Sequence, residues 1–129
     1  MCGLVGYVNN KTFENEINHK LVNSLVHRGP DDQSSISFND AGVFFGHTRT
    51  SIIDLTSGSQ PLSTLNKDYT IIFNGGIYNF ESLKEELISK GYVFSTTSDT
   101  EVLLKSYIEW GEDVSHKLNG DFAFAIFDK

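Results

Sequence analysis

The chain carries a single cysteine, and it is the second residue. A residue this small after an initiator Met permits Met removal, which leaves a thiol and a free α-amino group together on Cys2. A thiol titrates at about pH 8.5 and an α-amine at about pH 8, so near neutrality one can exchange a proton with the other through a bridging water. Cys2 would then be a nucleophile that carries its own base. A Cys at this position also reads as a small buried apolar residue at the start of a strand. The run Phe73-Asn74-Gly75-Gly76-Ile77-Tyr78-Asn79 places an Asn-Gly turn between two β-prone segments, a common hairpin signature. The same Asn74 amide and Gly75 N–H, presented on a tight turn, can converge on a developing oxyanion, where each donor is worth about 3 to 4 kcal/mol. Arg49 and Asp99 taken singly read as a solvated Arg after an apolar strand and a dipole-facing Asp at a helix start. Taken together, an Arg fork for a carboxylate and an Asp for an ammonium are what recognition of a free α-amino acid requires.

These residues need a scaffold, and the hydrophobic periodicity supplies one. Leu4 to Val8 is a short apolar strand. Glu14 to Val26 is expected to be helical, with Ile17, Leu21, Val22 and Leu25 on one face. Ser34 to Phe38 and Val43 to His47 flank the turn-forming Asn39-Asp40-Ala41-Gly42, which predicts a hairpin. Tyr69 to Phe73 is a further strand. Asn79 is expected to cap a helix over Phe80 to Lys90 that buries Leu83, Leu87 and Ile88 and ends at Gly91. Ser98 and Glu101 form a capping box for a helix from Asp99 to Trp110, with Leu103, Leu104, Tyr107 and Ile108 as its buried stripe and Gly111 closing it. Asp121 to Asp128 is apolar on both faces and belongs inside a sheet sandwich. Hairpins interspersed with helices indicate an α+β layered arrangement rather than a doubly wound parallel sheet.

Composition narrows the functional classes. At 129 residues and 39% hydrophobic content, one domain spanning 1–129 is expected, with no internal repeat or linker. A formal net charge of −7, with scattered Lys and Arg, argues against nucleic acid or an anionic membrane as partner. There is no signal peptide and no apolar run of membrane-spanning length, so a soluble, cytoplasmic protein is expected. One Cys forms no internal disulfide, and His19, His27, His47 and His116 show no metal-ligand spacing; no metal is expected. A Cys-His hydrolase pairing Cys2 with His27 or His47 would lack an orienting third group at a recognisable spacing.

Seven segments occur in order: Met1 to Gly6, His27 to Asp32, Gly46 to Leu55, Gln60-Pro61-Leu62, Asn74 to Phe80, Ser98 to Glu101 and Leu118 to Ala125. On them the chain resembles, over its whole length, the class II glutamine amidotransferase (N-terminal-nucleophile hydrolase) domain of glutamine-hydrolysing asparagine synthetases. The resemblance implies a four-layer αββα sandwich of two antiparallel sheets, with the mature N-terminal Cys at the end of a central strand. It implies that Cys2 attacks the glutamine side-chain amide, giving a thioester and ammonia, after which water releases glutamate. Asn74 and the Gly75 N–H would hold the oxyanion. Arg49, with backbone groups of Thr50, Ser51, Ile52 and Ile53, would hold the substrate carboxylate, and position 76 and Asp99 its α-ammonium. No cofactor is implied for this half-reaction; ATP and Mg are expected only on a separate synthetase domain or subunit that receives the ammonia for asparagine-type amide synthesis.

The chain departs from that pattern at Gly76 and at its C-terminal end, and more mildly at Thr48 and Thr50, where a basic residue and a Leu are more usual. Gly76 stands where the pattern has Glu, and loss of a charge-assisted bond to the ammonium, about 1.5 to 3 kcal/mol, predicts glutamine affinity weakened by roughly ten- to a hundredfold. Relatives would also continue past Lys129 with further strands, so the domain is expected to be incomplete at its C-terminal end, leaving an apolar edge on Asp121 to Asp128 that implies a partner, a homodimer or poor stability. These departures support an alternative, a degenerate or truncated amidotransferase domain that binds an amino acid or a partner without turnover.

Overall fold

A computed structural model describes residues 1–9, 14–50 and 58–129. The order is β1 (Gly3–Val8), α1 (Asn15–Asn23), β2 (Asp32–Phe38), β3 (Val43–Arg49), β4 (Leu62–Ser63), β5 (Tyr69–Ile77), α2 (Phe80–Ser89), α3 (Asp99–Trp110), α4 (Val114–Lys117) and β6 (Gly120–Asp128). The strands form two antiparallel sheets, β1-β3-β2 and β4-β5-β6.

Strand alternation assigns each face its partner. From the first sheet Val43 and Phe45 of β3, with Leu4, Ile36 and Phe38, meet Ile72, Ala125 and Phe127 of the second sheet. Phe38 stacks on Phe127 with ring centroids 4.4 Å apart. The opposite face of β5 contributes Ile71 and Phe73 to a larger core completed by Leu83 and Leu87 of α2 and Leu103 and Leu104 of α3. Helix α1 covers the outer face of the first sheet, where a Cβ at Gly46 would meet Val22. The result is the expected αββα order of layers, in an α+β protein.

Several sequence expectations shift in detail. The helix expected over Glu14 to Val26 is shorter, and Ile17 is exposed; the buried face is Asn18 and Val22. Asn18 is tolerated there because its Oδ1 accepts the Tyr7 hydroxyl at 2.8 Å. Ile88 is likewise exposed, leaving Leu83 and Leu87, an i,i+4 pair, to anchor α2. Asn79 does not cap α2 with its side chain; its Nδ2 donates to Lys117 O at 2.8 Å and its Oδ1 accepts the Asn119 N–H at 2.9 Å. It therefore ties the start of α2 to the connection before β6.

α3 has the expected bounds. Ser98 Oγ accepts the Glu101 N–H at 3.3 Å, but the Glu101 carboxylate turns away from the reciprocal half of a capping box. It accepts the N–H groups of Ser95 at 2.9 Å and Thr96 at 2.7 Å instead. Strand β6 has the expected sandwich position, with Phe124 and Ile126 packed on the helices and Ala125 and Phe127 toward the first sheet. It is also an outer strand of its sheet among the described residues, and Phe122 is 36% exposed. Among the described residues β1 is an outer strand of the first sheet, with β3 at the centre, and Cys2 immediately precedes β1. No helix among the described residues is long and apolar enough to cross a membrane.

Candidate active site at the ends of the two sheets

Cys2 is fixed through its backbone from three sides. Its N–H donates to Asn74 Oδ1 at 3.2 Å, its carbonyl accepts from Arg28 Nε at 3.1 Å, and the next N–H, that of Gly3, reaches Thr48 Oγ1 at 3.1 Å. Thr48 in turn donates to Leu25 O at 3.0 Å. A Cβ at Gly3 would lie 2.5 Å from Thr48 Oγ1, so this approach of β1 to β3 requires a glycine.

Asn74 and Gly75 do not form a turn. Both lie inside β5, whose ladder to β6 continues through Gly75 opposite Phe122 and Gly76 opposite Asp121. The β-prone run and the long partner strand override the local Asn-Gly preference, which gains nothing from a turn when every neighbouring residue is paired. Gly75 still has φ +135°, and a Cβ there would sit 2.1 Å from the Asp121 carbonyl oxygen. The glycine thus serves a local distortion of the strand and the close approach of β6.

A cleft of about 940 Å³ opens between the sheet ends, and Cys2, Arg49, Thr50, Asn74, Gly75 and Asp99 all line it. Gly76 is not among its lining residues. Ser51, Ile52 and Ile53 lie outside the described residues. Arg49 ends β3, with its guanidinium packed against Gly58, where a Cβ would come within 2.6 Å of a terminal nitrogen. Thr50 Oγ1 donates to Arg28 O at 2.8 Å. Asp99 stands in the first turn of α3, and its Oδ2 accepts the Ile77 N–H at 3.1 Å, tying that helix to the end of β5.

Apart from His47, weighed above as a Cys-His partner, the other residues of the cleft carry no role assigned from the sequence. Gln60 is buried; its Oε1 accepts the Phe73 N–H at 2.6 Å and its Nε2 lies 3.5 Å from Thr100 Oγ1, bracing β5 against α3. The only sequence cue was its place in Gln60-Pro61-Leu62, which assigns no partner. His47, 2% exposed, also lines the cleft, and its Nε2 has no hydrogen-bond partner among the described residues. Burial pushes the His47 imidazole below its usual range, against a hydrogen bond to the Phe73 backbone and the nearby Asp32 charge, with Arg49 adding to the lowering. Asp121 reaches the cleft from β6, and Thr97 and Ser98 from the loop before α3. That loop is held by Glu101, 5% exposed. Burial by itself would raise the Glu101 carboxyl, but hydrogen bonds from the Thr96 hydroxyl, the Ser95 N–H, Lys105 and the Thr96 N–H outweigh it and hold the group at about 2. Among the described residues, no group of three or more His, Cys, Asp and Glu could hold a metal ion.

Comparison with known proteins agrees with this arrangement. A family model described as the glutamine amidotransferase domain matches residues 1–129. Asparagine synthetase [glutamine-hydrolyzing] 3 of Bacillus subtilis (strain 168) is 45% identical, with the match covering 100% of this chain and 22% of that protein. Asparagine synthetase [glutamine-hydrolyzing] 1 of the same organism is 47% identical over 100% of this chain and 21% of that protein. The chain thus spans about a fifth of the length of these curated relatives. Among solved structures, the glutamine phosphoribosylpyrophosphate amidotransferase of B. subtilis, complexed with ADP and GMP, superimposes with a TM-score of 0.56 at 28% identity, covering 68% of this chain and 21% of that one. Sequence motifs, layer order and family match agree, and the chain belongs to the glutamine amidotransferase domain family.

Proposed function

We infer that this domain hydrolyses L-glutamine to glutamate and ammonia through a Cys2 thioester, and supplies the ammonia to a synthetase domain or subunit for asparagine-type amide synthesis. The observation that carries the reading is the Cys2 N–H bonded to Asn74 Oδ1 in a cleft that Arg49 and Asp99 also line. In this reading, removal of Met1 turns the Cys2 nitrogen into an α-amine that accepts the thiol proton. Sγ then bonds to the side-chain amide carbon, and the C–N bond breaks as the nitrogen takes that proton and leaves as ammonia. Water next attacks the thioester, releasing glutamate and returning the thiol. With Asn74 Oδ1 turned toward the Cys2 nitrogen, Nδ2 is left to donate to the oxyanion together with the Gly75 N–H. Arg49 binds the α-carboxylate and Asp99 the α-ammonium. The names of the relatives, all glutamine-hydrolysing asparagine synthetases, support amide synthesis as the use of the ammonia, with ATP and Mg acting on the synthetase part and not in this cleft.

Incubation with a glutamine analogue bearing an electrophilic side chain, followed by mass spectrometry, tests the reading. The expected result is one adduct on a Met-free Cys2, together with ammonia release from glutamine. An unmodified chain that still binds glutamine supports the second reading, binding without turnover, which the absence of a side chain at Gly76 favours.

A further inference from the structure

We propose that Asp121 is a second binding carboxylate for the α-ammonium of the amino-acid substrate, acting beside Asp99. The proposal rests on the glutamine reading above and adds a residue to it. Asp121 lies opposite Gly76 in the β5–β6 ladder, as Ala123 lies opposite Asn74. Alternate residues of a strand share a face, and directly paired residues project from the same face. Asp121 therefore leaves the sheet on the face from which Asn74 reaches Cys2, and it lines the same cleft.

The surroundings suit a cationic group. Gly76 leaves the position across from Asp121 without a side chain, and a Cβ there would meet only Tyr78 Cε1, at 3.7 Å. Tyr78 holds the carboxylate in place by donating its hydroxyl to Asp121 Oδ2 at 2.5 Å, and that bond keeps the phenol protonated by raising its titration above the usual value. Asp121 Oδ1 has no hydrogen bond among the described residues. On the neighbouring residue of β5, the Ile77 N–H occupies Asp99 Oδ2. Two carboxylates thus stand near the end of β5, Asp99 held by the Ile77 N–H and Asp121 by the Tyr78 hydroxyl, each with one oxygen committed to the protein. An ammonium has three donors, more than one such carboxylate can satisfy. A carboxylate at 121 thereby supplies from β6 what Gly76 cannot supply from β5.

Equilibrium binding to the full chain tests this, in a Cys2→Ala background so that turnover does not interfere. The ligands are L-glutamine and glutaramate, the same molecule without its α-ammonium. Asp121→Asn, which keeps the size and the acceptor for Tyr78, should weaken L-glutamine by about ten- to a hundredfold, change glutaramate by less than about twofold, and recover glutamine affinity when Gly76→Glu is added. Equal weakening of both ligands, or of neither, overturns the proposal. Tyr78→Phe provides a second variant, expected to weaken glutamine several-fold while sparing glutaramate; equal effects on both ligands count against the proposal as well. If the chain with Asp121 intact binds no glutamine, the glutamine reading itself fails, and this is seen before any comparison at 121 is made.

Discussion

The backbone N–H of Cys2 donates to the side-chain oxygen of Asn74 at 3.2 Å, across 72 residues of sequence and from one sheet to the other. This bond places the candidate nucleophile against the candidate oxyanion donor, and it forms only where the two sheets meet.

Asn74→Ala should therefore act on catalysis more than on binding. Loss of an oxyanion donor lowers kcat by about 10²- to 10³-fold, while KM, which the proposed reading assigns mainly to Arg49 and Asp99, should change less. Steady-state ammonia release measures both, and an unchanged kcat would remove Asn74 from the proposed chemistry.

Gly75→Ala meets two obstacles together, a φ of +135° and a Cβ 2.1 Å from the Asp121 carbonyl. Strain of this kind costs about 1 to 3 kcal/mol, and the collision with β6 adds to it. A lowered thermal midpoint in calorimetry is expected, whereas Gly76→Ala, whose Cβ would make only an ordinary contact with Tyr78 Cε1 at 3.7 Å, should leave the midpoint nearly unchanged.

Glu101 supplies a pH-dependent brace to the loop before α3. Its folded carboxyl titrates at about 2, below the ordinary 4.5. Its contribution is therefore present above pH 4.5 and is lost as pH falls through the folded value. The shift corresponds to roughly 3 kcal/mol at neutral pH. Glu101→Gln should be less stable by about that amount at pH 7 in urea unfolding, with the difference shrinking as pH falls from about 4.5 toward 2.

His47 gives a second, separate pH window. Burial lowers its titration from 6.5, so the unfolded chain takes up a proton that the folded chain resists. Stability from the neutral, buried ring is fully present above about pH 6.5 and declines as pH falls below it. His47→Asn should remove the part of the pH dependence that sets in as pH falls below about 6.5 and leave the Glu101 window intact. Chemical denaturation across that range resolves the two.

Local signals predicted the elements wherever a cap and an apolar stripe coincide. Asp99–Trp110 has the expected bounds because Ser98 caps it and Leu103 and Leu104 fall on one face. The same approach placed Ile17 and Ile88 in the core, but periodicity identifies apolar positions and not which of them a neighbouring layer covers. Asn74-Gly75 shows the limit most clearly. A hairpin dipeptide became strand interior because β6, more than forty residues later, pairs with it. Local signals make Asn79 a helix cap, but its side chain spans to Lys117 and Asn119.

The sequence by itself determined the layered α+β architecture, the candidate nucleophile at Cys2 and the family, since ordered motifs and hydrophobic periods are properties of the chain. Tertiary structure alone decided which side chains share the cleft. Cys2, His47, Gln60, Asn74, Asp99 and Asp121 are brought together there by strand register and by the stacking of one sheet on the other. The physical reason is that such a site is made of non-local contacts: each residue's nearest neighbours in sequence point to other layers, and only the packed core fixes what stands opposite.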